Sequence, residues 1–171
     1  MTQEGQLTDG IAMVRQGVHL YQSTGAEIEL PLIRTALLEP LVTTGQATEA
    51  LNVVDDTLAV LERNGDRWLE AEMLRIKGAA LLSIHDAQQA EACLQRAITV
   101  ARNQGAKLWE LRAAVALGRL WRDQGRHGDA HDLLAPVYGW FTDGFETPDL
   151  EDAKDLLDEL TRAASSSPGI C

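Results

Sequence analysis

Apolar residues in this chain recur at helical spacing. Ala90, Leu94, Ala97, Ile98 and Ala101 fall at i, i+4, i+7, i+8 and i+11, which puts them on one face of a helix. Leu74, Gly78, Leu81 and Leu82 form a similar stripe just upstream. Turn signals separate such stripes: TTGQAT around Gly45, SIHDA around His85 and DQGRHG around Gly125. Gly45 and Gly125 suit the left-handed backbone that ends a helix. With five prolines and no alternating β-branched runs, the pattern predicts helical hairpins and no strands.

The hairpins repeat. Gly25, Gly65 and Gly105 stand 40 residues apart, and Gly144 falls one residue short of the next interval. Ala50, Ala90 and Ala130 keep the same spacing, with Gly10 in the preceding slot. Three more columns follow it: Val14, Val54, Leu94, Leu134; Val18, Leu58, Ile98, Tyr138; and Tyr21, Leu61, Ala101, Phe141. Glu70 aligns with Glu110, and Gly78 with Gly118. So many matched columns mean an internal repeat. The expected layout is a lone leading helix at 7–24, hairpins at 26–65, 66–105 and 106–145, a capping helix at 149–163 and a disordered tail at 164–171. Thr147 is placed to cap the last helix, and Pro148 suits its first turn.

Within a unit, the column identities follow the tetratricopeptide pattern. The second unit reads Leu74, Gly78, Leu81, Ala90, Leu94, Ala97, and the third Ala114, Leu117, Gly118, Trp121, Ala130, Leu134, Val137. Small residues let the two helices of a hairpin approach closely, while bulky ones fill the gap to the next hairpin. The first unit is degenerate: Arg34 and Leu38 occupy an apolar and a small slot, and Pro40 should kink or shorten its first helix. The period is longer than the usual ~34 residues of this repeat. The expected fold is all-α, a right-handed α-solenoid of tetratricopeptide-like (TPR-like) hairpins.

The runs RNGDRWLEAEMLRIKGAALL, ARNQGAKLWELRAAVALGRLWRDQGR and LLAPVYGWFTDGFETPDLEDAKDLLDEL resemble the C-terminal repeat region of bacterial multidomain signalling ATPases. In those proteins an adenylate-cyclase-like or winged-helix domain precedes an ATPase module and TPR repeats. The resemblance runs from about Gly10 to Leu160. It implies a repeat fold with a scaffolding or regulatory role, the segment serving as a sensor or docking arm. It does not bring ATPase or cyclase activity, since the chain has no GxxxxGK[ST] phosphate loop, no GxGxxG and no cyclase metal-carboxylate motif. A chain this short reads as a fragment or a separately encoded remnant of such a protein.

Composition narrows the partners. Fifteen Lys and Arg against 26 Asp and Glu give a net charge of −11, which disfavours nucleic acid and anionic membranes. Neither a long apolar run nor a signal-peptide pattern is present, so the reading is a cytoplasmic protein. His127 and His131 are spaced i, i+4, but two histidines do not make a closed metal site. Cys93 sits beside a buried stripe and reads as a half-buried thiol, and Cys171 lies in the tail. Trp109, Trp121, Trp140 and Phe141 read as hairpin packing. DGFETPD lacks the alternate-ligand spacing of a calcium loop, and no Ser-His-Asp arrangement can be drawn. No catalytic residue, cofactor or metal is expected, and the protein is read as a non-enzyme.

The positive charge is placed unevenly. In a TPR array the first helix of each hairpin lines the concave groove. Counted from the small-residue position, the groove slots hold Leu32, Thr35, Glu39, Val42 and Thr43 in the first unit. In the second they hold Glu72, Arg75, Ala79, Leu82 and Ser83, and in the third Arg112, Val115, Arg119, Arg122 and Asp123. Arginine forks bind carboxylates bidentately. The candidate groove is therefore Arg75, Leu82, Arg112, Val115, Arg119 and Arg122, taking an acidic peptide or chain terminus. The competing reading pairs these arginines with Glu72, Glu110 and Asp123 along their own helices. The expected function is a protein-interaction scaffold. Alternatives are a small-molecule sensor with an apolar pocket between first helices, and a homo-oligomer assembled through the uncapped N-terminal helix.

Overall fold

A computed structural model describes residues 3–25, 29–65 and 67–166. Among these the chain is all-α, with eight helices and no strand. It divides after Ala90 into two compact units. The first holds α1 (Gln3–Ser23), α2 (Leu30–Thr43), α3 (Ala47–Asn64), α4 (Glu70–Ser83) and the start of α5 (Ala87–Gln104). The second holds the rest of α5, then α6 (Lys107–Asp123), α7 (His127–Tyr138) and α8 (Pro148–Ser166). Residues 167–171 of the expected tail, Cys171 included, lie outside the described residues, and α8 runs past 163 to Ser166.

One device closes the turns. Gly45, His85 and Gly125 all take positive φ, at 76°, 64° and 78°. The amide that follows each donates back across the turn: Gln46 to the Leu41 carbonyl (2.8 Å), Asp86 to Leu81 (3.0 Å) and Arg126 to Trp121 (2.7 Å). This is the six-to-one bond of a Schellman cap, repeated at the period of the sequence. His85 fills a slot that glycine fills in the other two turns, at a cost of about 1 kcal/mol for a residue with a Cβ. The next residue compensates, since Asp86 Oδ1 accepts the Gln89 amide (3.0 Å) and caps α5.

In the first unit, α2 packs on α1, α3 and α4, and α3 on α4. Leu38, Leu41, Val54, Leu69 and Met73 are almost completely enclosed. The degenerate hairpin solves its pattern with a polar pair. Arg34, only 9% exposed, donates from Nη1 to Thr57 Oγ1 (3.3 Å), and that hydroxyl donates to the Val53 carbonyl (2.6 Å). Thr57 stands in the column of Ala97 and Val137, so the two exceptions answer each other. Burial lowers the Arg34 pKa, and the nearby Asp56 charge partly offsets this. Leu38 is 0% exposed despite occupying the small-residue slot. The helix passes through Pro40 and ends at Thr43. Pro40 offers no N–H to the Ala36 carbonyl, and its own carbonyl accepts the Thr43 and Thr44 hydroxyls and the Thr44 amide.

In the second unit, α6 packs on α7 and α8, and α7 on α8. Leu150, Ala153, Leu156 and Leu160 turn inward from α8. Gly118 permits the close approach of α6 and α8, where a Cβ would stand 3.3 Å from Leu156 Cδ2. Pro148 does open α8, but Thr147 does not cap it: its hydroxyl turns back to the Gly144 carbonyl (2.7 Å).

Candidate functional site

The groove arginines fall in different units, and each has carboxylate partners. Arg75 and Leu82 belong to the first unit, and Arg112, Val115, Arg119 and Arg122 to the second. Arg75 is held on both sides, by Glu72 on its own helix (2.8 Å) and by Glu39 on α2 (2.5 Å). Burial depresses the Arg75 pKa, yet the hydrogen bonds and charges of Glu72 and Glu39 outweigh it and hold the guanidinium above its ordinary value. Its side chain is 14% exposed, which leaves little surface for a ligand. Leu82 is half-buried. Val115 is buried, contrary to its expected place on an open surface, because α8 packs on α6.

The second unit repeats the arrangement as a ladder. Arg112 binds Asp149 through two hydrogen bonds of 2.7 and 2.8 Å, with its guanidinium 5.3 Å from the Trp109 ring centre. Arg119 pairs with Asp152, and Arg122 with Glu159 (2.9 Å) and Asp123 (2.8 Å). The Asp123 hydrogen bond is the main reason that the Arg122 pKa lies above its ordinary value; desolvation opposes it and Glu159 adds to it. Glu39–Arg75 joins α2 to α4 and these three pairs join α6 to α8, their partners 33 to 37 residues apart in sequence. Pairing along one helix, the competing reading, holds for Glu72–Arg75 and Arg122–Asp123 but not for Glu110. Part of the acidic face of α8 neutralises α6. Only Arg119 (48%) remains about half exposed, beside an Asp152 that is 43% exposed.

Glu110 does not join the row. It is buried, and it accepts from Arg102 Nε (2.7 Å) and Lys107 Nζ (2.8 Å). Burial pushes its carboxyl up, but the two donors and their charges together hold it below its ordinary 4.5. The folded state thus favours the ionised form. Its contribution is present above the ordinary value and is lost as pH falls through the lowered one. Glu110→Gln should cost about 1–3 kcal/mol at neutral pH, with the deficit shrinking under acid. Paired urea titrations across the acid range test this, and a deficit independent of pH would refute the ionic role.

The aromatic residues divide. Trp121 is held, donating from Nε1 to Glu91 (2.8 Å) under the Arg126 guanidinium at 4.3 Å. Trp140 is not hairpin packing: it is 57% exposed, with Phe141 edge-on at 5.2 Å and Lys107 5.7 Å away. A cleft of about 740 Å³ is lined by Tyr138, Phe145, Glu151, Lys154 and Asp155. Its walls carry charge, unlike the apolar pocket between first helices that a sensor reading expects. Cys93 is half-buried. His127 Nδ1 is buried without a hydrogen-bond partner, and His131 Nδ1 lies 3.6 Å from Asp132. Among the described residues, no group of three or more His, Cys, Asp or Glu is arranged to hold a metal ion. No described helix is long and apolar enough to cross a membrane.

No protein-family model and no curated protein matches this chain in sequence. Solved structures do match. A Podosopora anserina protein described as a kinesin light chain with nearly identical TPR-like repeats aligns over 96% of this chain and 82% of its own. The TM-score is 0.67 at 17% identity. A variant of the same protein gives 0.70 at 16% identity, with the same coverage. BtubC (BKLC) from P. vanneervenii gives 0.70 at 14% identity over 98% of this chain and 77% of its own. The fold is a TPR-like helical repeat. In this TPR-like chain the repeat is carried by the Schellman turns and the small-residue columns.

Proposed function

We propose that the protein is a non-catalytic protein-interaction scaffold, and that α6 docks an acidic peptide or chain terminus in the second unit. The observation that carries this is the state of Arg119: a half-exposed guanidinium whose partner is an equally exposed carboxylate. Such surface pairs are worth only about 0–1 kcal/mol, so an incoming carboxylate can replace Asp152 at little cost. Arg122, shared between Asp123 and Glu159, can exchange in the same way. Arg75 is too enclosed to take part. In the setting implied by the sequence resemblance, the chain would serve a cytoplasmic signalling ATPase as its regulatory or docking arm.

Two variants move binding in opposite directions. Arg119→Glu with Arg122→Glu should abolish capture of a fluorescent oligoglutamate peptide. Asp152→Asn with Glu159→Gln frees Arg119 and leaves Arg122 with Asp123 alone, and should tighten capture by about tenfold, equivalent to ~1.4 kcal/mol. Fluorescence anisotropy at low salt reads both, with circular dichroism to check that α8 stays folded. Equal affinity in all three proteins would remove the arginine surface from consideration.

A further inference from the structure

The bare face of α1 points to a second copy of this chain. Ala50, Thr57 and Val60 are buried in α3, as are Ala130 and Val137 in α7. Forty residues back from α3, the same positions are Gly10, Gly17 and Leu20, with Met13 matching the half-buried Val53. Here Gly17 is exposed, Leu20 is 58% exposed and Met13 is 74% exposed. The neighbouring face is satisfied: Ile11 is buried, Val14, Val18 and Tyr21 are half-buried, and α1 packs on α2. Arg15, on a further side, is tied to Glu49 (2.6 Å) and Gln46 (3.0 Å).

The two glycines are the informative part. A Cβ at Gly10 or Gly17 would meet nothing within 4 Å, so packing among the described residues does not require either glycine. Each costs a helix interior about 1 kcal/mol relative to alanine. Glycine at such positions is explained by another backbone coming close. The order Gly10, Met13, Gly17, Leu20 has the 3-4-3 spacing of a helix–helix seam, with small and large residues alternating.

That order is also its own complement. In an antiparallel pair with the two-fold axis at residue 15, Met13 faces Gly17 of the other copy and Leu20 faces Gly10, so each knob meets a hole. A two-fold interface demands this kind of self-matching, and a foreign helix would match it only by chance. Charge agrees: Met13, Gln16, Gly17 and Leu20 carry none, so two copies of a −11 chain can meet there without opposed carboxylates. We infer that α1 forms an antiparallel homodimer seam through Gly10, Met13, Gly17 and Leu20. This is independent of the arginine surface on α6.

Sedimentation equilibrium of the whole chain, with two variants, tests it. The wild type should show a monomer–dimer equilibrium. Met13→Glu should raise its dissociation constant by a factor on the order of 100, because it places unpaired carboxylates in an apolar seam. Gly10→Leu with Gly17→Leu discriminates more sharply. It adds apolar surface and helix propensity, so a merely sticky face would dimerise more strongly and the monomer would be no less stable. If the knobs need holes, the dimer dissociates. Met13→Cys with Gly17→Cys should then oxidise to a covalent dimer whose peptides link 13 to 17. A strict monomer, a dimer strengthened by the leucines, or 13–13 links would each overturn the assignment.

Discussion

Leu38→Ala is expected to lower the unfolding free energy by about 2–5 kcal/mol, the range for emptying a fully enclosed leucine site. The sequence alignment argues the reverse. Leu38 shares its column with Gly78 and Gly118, so restoring a small residue would look like a repair. The structure shows why it is not one. Leu38 is 0% exposed, and Leu37, Leu41 and Val54 of the same unit are enclosed as well. The first hairpin has repacked around a large side chain, with Arg34 and Thr57 hydrogen-bonded across the same two helices. Removing three carbons leaves a void that neighbouring helices can close only in part. Urea unfolding should show a lower midpoint at an unchanged slope. A loss below about 1 kcal/mol would mean that the hairpin collapses onto the smaller residue, as the repeat pattern implies.

Leu156→Ala should cost about as much, roughly 2–5 kcal/mol, for a different reason. Leu156 is 2% exposed and fills the space that Gly118 leaves open between α6 and α8. Gly118→Ala alone gains helix propensity but pushes its methyl to within 3.3 Å of Leu156 Cδ2. The two positions are therefore coupled. In the double variant the methyl added at position 118 sits where the leucine had been, and the loss should fall short of the sum by about 1 kcal/mol. Additive losses would mean that α8 slides away from α6 instead of keeping its register. Because α8 carries Asp149, Asp152 and Glu159, its docking also decides whether the arginine row stays neutralised.

The hairpins, their period and the left-handed glycines are legible in the sequence because they depend on local spacing. An i, i+4 stripe and a glycine at a turn are visible wherever the chain is read. His85 is harder. Nothing in SIHDA marks a positive φ until the Schellman bond of Asp86 is seen beside those of Gln46 and Arg126. The arginine row shows in the sequence, but its partners do not. Asp149, Asp152 and Glu159 sit on a helix whose polar face looks solvated, and their pairing emerges only when α6 and α8 are brought side by side. A search for opposite charges one repeat apart, as in Glu39 and Arg75, picks up that signal. Trp140 departs from its column. Val60 and Val100 hold the same slot, buried and half-buried, so the pattern places an apolar ring inside where the structure exposes it.

The short reach of these ion pairs has a kinetic meaning. Those that join one helix to another span from 8 residues, for Arg102–Glu110, to 37, for Arg112–Asp149. Contacts this local in sequence require little loop closure before they reward the chain, which favours rapid folding. On the ribosome, α2 and α3 can close as soon as Thr57 can reach Arg34, well before α8 has been made. The arginines of α6 then emerge ahead of their α8 carboxylates. For the time needed to translate some 37 further residues, a few seconds at ribosomal speed, Arg112 and Arg119 are bare to any acidic segment nearby.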